Sequence, residues 1–447
     1  MARGPGPRGP GRARRRAGDR PSTEGGALTA HDSVTGQGAY TRAAGLAAEL
    51  LDAWSARHAA LLARREPARP AEPGDEPVND PAVPVLAGLL AAGGPPAAHG
   101  TAARAAGLWA RTAGRGRRHP GLYDGGFTGT WFGLRQATAL HPELGPVVER
   151  LRGRLPVDRA PAAERYGAVT FPDYDLILGP AGLLLTLAAD EACAPREPEP
   201  LVRALSALCD DPALPGLRAH HPGSALLGWL DGRVDTGMGH GAAGVAVALA
   251  AGVRRLRAAG EGAVPPQALV ALAHLAGWLR AEAYEDARSV RTWDGAGPRE
   301  GAPAPGARAR QGWCYGTPGV AWALWETADV LGDAELAGWA CEAFSTLAAA
   351  FDPDFHLPGD HPGDRLGVCH GAAGVLLVAD AFHRHAGVPA AGRLRLRMLS
   401  HLAVHEDAIR SLAGERTGVL TGAAGVLAAV LTATGGDRGW LSCLGLR

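Results

Sequence analysis

Cys369 and His370 stand side by side in Gly367–Val368–Cys369–His370–Gly371–Ala372–Ala373–Gly374, directly before a small-residue turn and an apolar run. A second thiol, Cys314, precedes the similar turn Gly316–Thr317–Pro318–Gly319, and a second imidazole, His240, precedes Gly241–Ala242–Ala243–Gly244. Aligned on the first glycine of each turn, Cys314 and Cys369 both fall two positions before it, and His240 and His370 both fall one before it. Other copies of the turn carry Asp124, Ile177, Gly239 and Leu420 two before, so the matched thiols are not a feature of the turn itself. Two thiolates and an imidazole are a Cys2His set of the kind that holds zinc, and three protein ligands leave a fourth position open, as catalytic zinc sites do. The long separation of Cys314 from Cys369 excludes a zinc finger, whose ligands come in close pairs. The plainer reading of Cys369–His370 is a buried thiol beside a capping imidazole.

Three more residues belong to the same region. His240 can be a fourth ligand, a core histidine bonded to backbone, or a proton carrier, since an imidazole at a helix N-terminus stays neutral near pH 7. Arg310, four residues before Cys314, brings a fixed positive charge to the site or is simply solvated in an Arg-rich loop. Asp175, four before Gly179, occupies the same part of its repeat or caps a helix.

What must position these side chains is a repeat. Gly-x-x-Gly recurs at Gly126–Gly129, Gly179–Gly182, Gly241–Gly244, Gly316–Gly319, Gly371–Gly374 and Gly422–Gly425, with first-glycine spacings of 53, 62, 75, 55 and 51 residues. Each is followed by an apolar run, and two-faced helical segments such as Leu201–Leu208, Leu269–Ala283, Glu335–Ala350 and Leu394–Val404 lie between copies. A helix apolar on all sides must be surrounded, whereas an amphipathic one can face water. A ring of inner helices wrapped by outer ones satisfies both, so the expected fold is all-α, an α/α toroid, with every glycine turn at one face. Strand-like alternation is weak; Tyr166–Phe171 is the one short candidate.

Upstream, residues 1–38 are rich in Gly, Pro and Arg and are expected to be disordered. Ala43, Leu46, Ala47, Leu50, Leu51 and Trp54 make a helical stripe, and prolines within 65–84 read as a linker, giving segments 1–38, 39–83 and 84–447, the last being the toroid. With 46% hydrophobic residues the chain can bury a large core. All 45 basic residues are arginine and match 45 acidic ones, so net charge gives no support for nucleic-acid binding. No apolar stretch approaches membrane-spanning length, and no signal-like apolar segment follows Arg14–Arg16. Six cysteines in so long a chain are not a disulfide framework and suit a reducing, cytoplasmic setting.

Arg310–Gln311–Gly312–Trp313–Cys314–Tyr315–Gly316, Cys369–His370–Gly371 and Gly237–Met238–Gly239–His240–Gly241 resemble the signature motifs of the LanC-like family, the lanthipeptide cyclases. Asp173–Tyr174–Asp175 through Gly182 is similar to that family's aspartate-bearing repeat, and the resemblance covers roughly residues 84–440. It implies a toroid of seven helix pairs with one zinc at its mouth, held by Cys314, Cys369 and His370. Six glycine turns are visible, so the remaining pair is expected from atypical sequence within 84–113.

The implied reaction closes thioether rings in a precursor peptide whose Ser and Thr are already dehydrated: a peptide cysteine adds to dehydroalanine or dehydrobutyrine. A free thiol of pKa about 8.5 is only a few per cent ionised near neutrality, which is why a metal is needed. By the same resemblance His240 carries the proton to the resulting enolate, Asp175 assists or orients it, and Arg310 and Tyr315 steer the enolate oxygen. A dehydratase and an exporter are the expected partners. A relative that adds glutathione to dehydrated residues and a non-catalytic, zinc-stabilised peptide scaffold are the competing readings. A terpene cyclase on the same toroid is excluded by the lack of an Asp-rich motif.

Overall fold

The computed structural model describes residues 1, 24–63, 79–113, 119–158, 169–297 and 310–447. Its helices are α1 (Glu24–Ala63), α2 (Ala82–Gly93), α3 (Ala98–Thr112), α4 (Phe127–Ala137), α5 (Gly145–Arg152), α6 (Pro180–Ala188), α7 (Glu199–Ala207), α8 (Ala242–Arg257), α9 (Pro266–Ala281) and α10 (Thr317–Leu331). They continue as α11 (Ala334–Ala350), then a single helical turn at Pro353–His356, then α12 (Pro362–Leu366), α13 (Ala372–His385), α14 (Pro389–Val404), α15 (Glu406–Glu415) and α16 (Ala423–Ala433).

Six of these begin directly after the first glycine of a Gly-x-x-Gly turn: α4, α6, α8, α10, α13 and α16. They are the buried ones. Every residue from Ala242 to Ala250 in α8 and from Ala372 to Phe382 in α13 is buried. The helix after α8, α9, buries only Ala268, Ala271, Leu272, Leu275, Ala276 and Leu279, a stripe at helical spacing with a solvated opposite face. Followed round, α2 packs on α4, α4 on α6, α6 on α8, α8 on α10, α10 on α13, α13 on α16, and α16 back on α2. Outside them, α3 covers α2, α5 covers α4, α7 covers α6, α9 covers α8, α11 covers α10 and α14 covers α13. The N-terminal α1 covers α16, so the first helix of the chain closes against the last. This is the α/α toroid.

The second glycine of each turn is there for close approach. A Cβ on Gly374 would collide with the carbonyl of Val368, and one on Gly319 with that of Trp313, in each case the carbonyl six residues earlier. The turns are then stitched to one another by backbone hydrogen bonds along one rim: Leu122 N to Ile177 O (3.0 Å), Leu176 N to Gly239 O (3.1 Å), Met238 N to Cys314 O, Cys314 N to Cys369 O and Cys369 N to Leu420 O (each 2.8 Å). At α2, which has no glycine turn, side chains take over. Asp80 Oδ1 accepts from Ala82 N and from Val419 N, and Asn79 Nδ2 donates to Gly125 O. The C-terminal turn Gly439–Leu444 is buried against the ring, and the Cys443, Leu444 and Gly445 carbonyls accept from Tyr123, Trp313 and Trp322.

Several expectations need correction. α1 begins at Glu24, inside the 1–38 stretch expected to be disordered, because once Ala43 to Trp54 are anchored in the core each added helical residue gains a hydrogen bond without a new nucleus. The rest of that stretch, 2–23, lies outside the described residues, as does 64–78 of the proline-rich linker. α1 packs on α2, α3 and α16, and α2 starts at Ala82. Of the stretch Tyr166–Phe171 the described residues 169–171 hold no paired strand; among the described residues the antiparallel pair is Tyr284–Glu285 with Arg291–Thr292. In the former stretch Val169 makes only an isolated bridge to Ala219, and 166–168 lie outside the described residues. No helix among the described residues is long and apolar enough to cross a membrane.

Candidate metal centre

Cys314, Cys369 and His370 come together at the stitched rim. The Cys314 N–H bond to the Cys369 carbonyl pins the two turns in register, and Gly312 lets the approaching loop lie flush, since a Cβ there would meet His370 Cα at 2.5 Å. The two sulfurs and a ring nitrogen of His370 all lie within 4.8 Å of one another, the single such group of possible metal ligands among the described residues. His370 Nδ1 is 3.6 Å from Cys314 Sγ, while its Nε2 is 3.0 Å from Asp364 Oδ1. The carboxylate thus fixes the ring so that Nδ1 faces the sulfurs. The two thiols act on each other in opposite directions: the contact with Cys314 pulls Cys369 well below the ordinary thiol range against burial, and the same contact, with burial, pushes Cys314 well above it. Soft sulfur donors, one imidazole, and a carboxylate on the distal imidazole nitrogen fit a zinc ion. The residues present can hold a metal.

His240 is at the same rim but outside that donor group. Its Nδ1 lies 2.5 Å from Asp175 Oδ2, across from the neighbouring turn. Asp175 is fully buried, and its other oxygen accepts from Leu178 N and Gly179 N at 2.7 Å each, so the capping role and the histidine contact coexist. Burial pushes Asp175 up, opposed by His240 and the two N–H donors. Burial also pushes His240 down, but the hydrogen bond and charge of Asp175, with Asp235 and Cys369 adding, leave it raised. The ring of Phe171 stacks on His240 with centroids 4.3 Å apart and planes at 23°. With Nδ1 held by Asp175, Nε2 is the nitrogen left to exchange a proton.

Tyr315 donates its hydroxyl to Asp235 Oδ2 at 2.7 Å, and Asp235 Oδ1 accepts from Gly237 N. Arg310 donates to the Pro358 carbonyl, while its charge acts on Cys314 and His370. Sequence reasoning thus selected Cys314, Cys369, His370, His240, Asp175 and Tyr315, which meet at one rim, and Arg310 beside them. It missed Asp364, Asp235 and Phe171. The signal that was available is that Asp364 lies six residues before His370 and Asp235 five before His240, each in the stretch leading into its turn.

Residues 149–444 match the family described as Lanthionine synthetase C-like protein, and the chain belongs to that family. No curated protein matches it by sequence. Among solved structures, nisin cyclase is similar over 89% of this chain and 96% of its own, with a TM-score of 0.68 and 17% identity, a likeness of fold.

Proposed function

We propose that this protein is a zinc-dependent lanthipeptide cyclase, which closes thioether rings by adding a peptide cysteine to dehydroalanine or dehydrobutyrine. The observation that carries the reading is the Cys314–Cys369–His370 donor group beside a His240–Asp175 pair on the same rim. Cys314, Cys369 and His370 would hold the zinc, and Asp364 would orient His370. A zinc ion there supplies the Lewis acidity that keeps a substrate thiol ionised at neutral pH.

The rest is work for the chain's own residues. Addition of sulfur to the β-carbon leaves negative charge on the α-carbon and its carbonyl oxygen, and the α-carbon must take a proton. His240 delivers it from Nε2, while Asp175 at Nδ1 holds the ring in place and stabilises its charged form. Arg310 adds positive charge near the thiolates. The seven-pair toroid belongs to this reading and is supported by the closed circuit from α2 through α16 and back. The substrate must arrive already dehydrated, which implies a dehydratase acting before it and fits an exporter acting after it. The six cysteines, all unpaired, suit the reducing cytoplasm in which such thiol chemistry runs.

The test is incubation of the zinc-loaded protein with a synthetic peptide carrying one dehydroalanine and one cysteine, read by mass spectrometry after maleimide treatment. Ring closure leaves the mass unchanged and abolishes maleimide uptake, faster than without enzyme. A product heavier by one glutathione, when glutathione is supplied, would replace the cyclase reading with thiol transfer. Tight peptide binding without thiol loss would reduce the protein to a scaffold.

A further inference from the structure

Asp235 is a fully buried carboxylate that neither the metal group nor the His240 pair uses. Its backbone is anchored on both sides: its carbonyl accepts from Ala242 N at the head of α8, and it forms an isolated antiparallel bridge with Ala296. Its side chain has two partners, Gly237 N–H and the Tyr315 hydroxyl. Gly237 and Gly295 leave space for the Tyr315 ring beside it. A Cβ on Gly237 would sit 2.8 Å from the ring, and one on Gly295 would sit 3.6 Å from it and 3.1 Å from Trp229. The two glycines admit the ring, and Asp235 sets the direction of its hydroxyl.

A hydroxyl has one proton and two lone pairs. Gly237 N–H occupies one carboxylate oxygen, so the other must accept, and the only proton it can accept from Tyr315 is the phenolic one. Burial pushes Asp235 up to about 6, with Tyr315, His240 and Gly237 N–H opposing, so at neutral pH it is ionised and accepts.

On the cyclase reading, we propose that Asp235 is a positioning residue that turns Tyr315 into a hydrogen-bond acceptor toward the dehydrated peptide, binding a backbone N–H of the dehydroalanine residue. Tyr315 then donates nothing to the enolate oxygen. Its contact is made equally in the bound substrate and in the transition state, and it sets affinity rather than turnover.

Asp235→Asn inverts the polarity without changing the size. The Asn oxygen stays on Gly237 N–H, its amide N–H2 faces Tyr315, and the phenol must accept from it and release its proton toward the site. The Raman tyrosine doublet, taken as a difference against Tyr315→Phe, reads this without substrate: a donor signature in the native protein and an acceptor signature in Asp235→Asn. An acceptor signature in the native protein overturns the inference. With the cysteine–dehydroalanine peptide as probe, Asp235→Asn and Tyr315→Phe should each raise KM about three- to tenfold, the worth of one hydrogen bond, and kcat of Tyr315→Phe should stay within about twofold; Asp235→Asn also removes a charge that raises His240, so the kcat comparison is read on Tyr315→Phe. Zinc content should be unchanged and the double variant no worse than the worse single one. A fall in kcat at constant KM, or effects that multiply in the double variant, contradicts it. If Asp235→Asn fails to fold, Tyr315→Phe decides by the same KM-against-kcat split and the native Raman signature stands. A native protein that shows the donor signature but closes no ring defeats the cyclase reading, and the substrate contact proposed here falls with it while the Asp235–Tyr315 polarity remains.

Discussion

His240 and His370 occupy the same slot, one residue before the first glycine of an inner-helix turn, and they present opposite nitrogens. His370 has Asp364, from its own repeat, on Nε2, which turns Nδ1 toward Cys314. His240 has Asp175, from the preceding repeat, on Nδ1, which leaves Nε2. The residue before each also differs: Cys369 in one case, Gly239 in the other. A repeat fixes where an imidazole stands, but the carboxylate that reaches it decides which nitrogen is free and so what the ring can do.

The comparison can be broken at several points. On the proposed reading Cys369→Ala removes a zinc ligand, and the purified variant should carry almost no zinc by elemental analysis; stoichiometric zinc would rule out the donor group. Asp175→Asn keeps the oxygen that accepts from Leu178 and Gly179 but offers His240 Nδ1 a donor, moving the ring proton to Nε2. Cyclisation should slow by about a hundredfold or more with zinc retained, and a near-native rate would remove His240 from proton transfer. Asp364→Asn should loosen zinc roughly ten- to a hundredfold in a chelator competition, whereas unchanged affinity would mean that the distal bond does not orient His370.

The smallest effect is on stability. Asp235 binds its proton more tightly folded than unfolded, so its contribution is fully present below the unfolded value near about 3.9 and is lost as pH rises through about 6. Asp235→Asn removes that component. Between those pH values its Tm should fall less than that of the native protein, and parallel curves would contradict the shift.

How much of this the sequence carries depends on the range of the interaction. The glycine turns are legible because the second glycine answers a carbonyl six residues earlier, or seven at Gly129, a local constraint that stamps its own pattern. The metal group is legible because the repeat puts Cys314 and Cys369 in one register. The helix Ala82–Gly93 is legible only as the pair that six turns leave missing, expected within 84–113, because its own turn is held by Asn79 and Asp80 bonding to Gly125 and Val419, partners that only the closed ring brings near. Asp235 is hidden for the same reason, its partner Tyr315 lying 80 residues on. The pair Tyr284–Glu285 and Arg291–Thr292 is too short to show alternation, and is held instead by Thr346 and Thr317 contacts at Arg291.

Zinc stoichiometry of His370→Ala beside His240→Ala separates metal ligand from proton carrier, because the two substitutions are chemically identical and occupy equivalent slots. His370→Ala should lose most of its zinc, while His240→Ala should keep about one ion per chain and be slow in ring closure. Loss of zinc from His240→Ala, or its retention by His370→Ala, would contradict that assignment of roles.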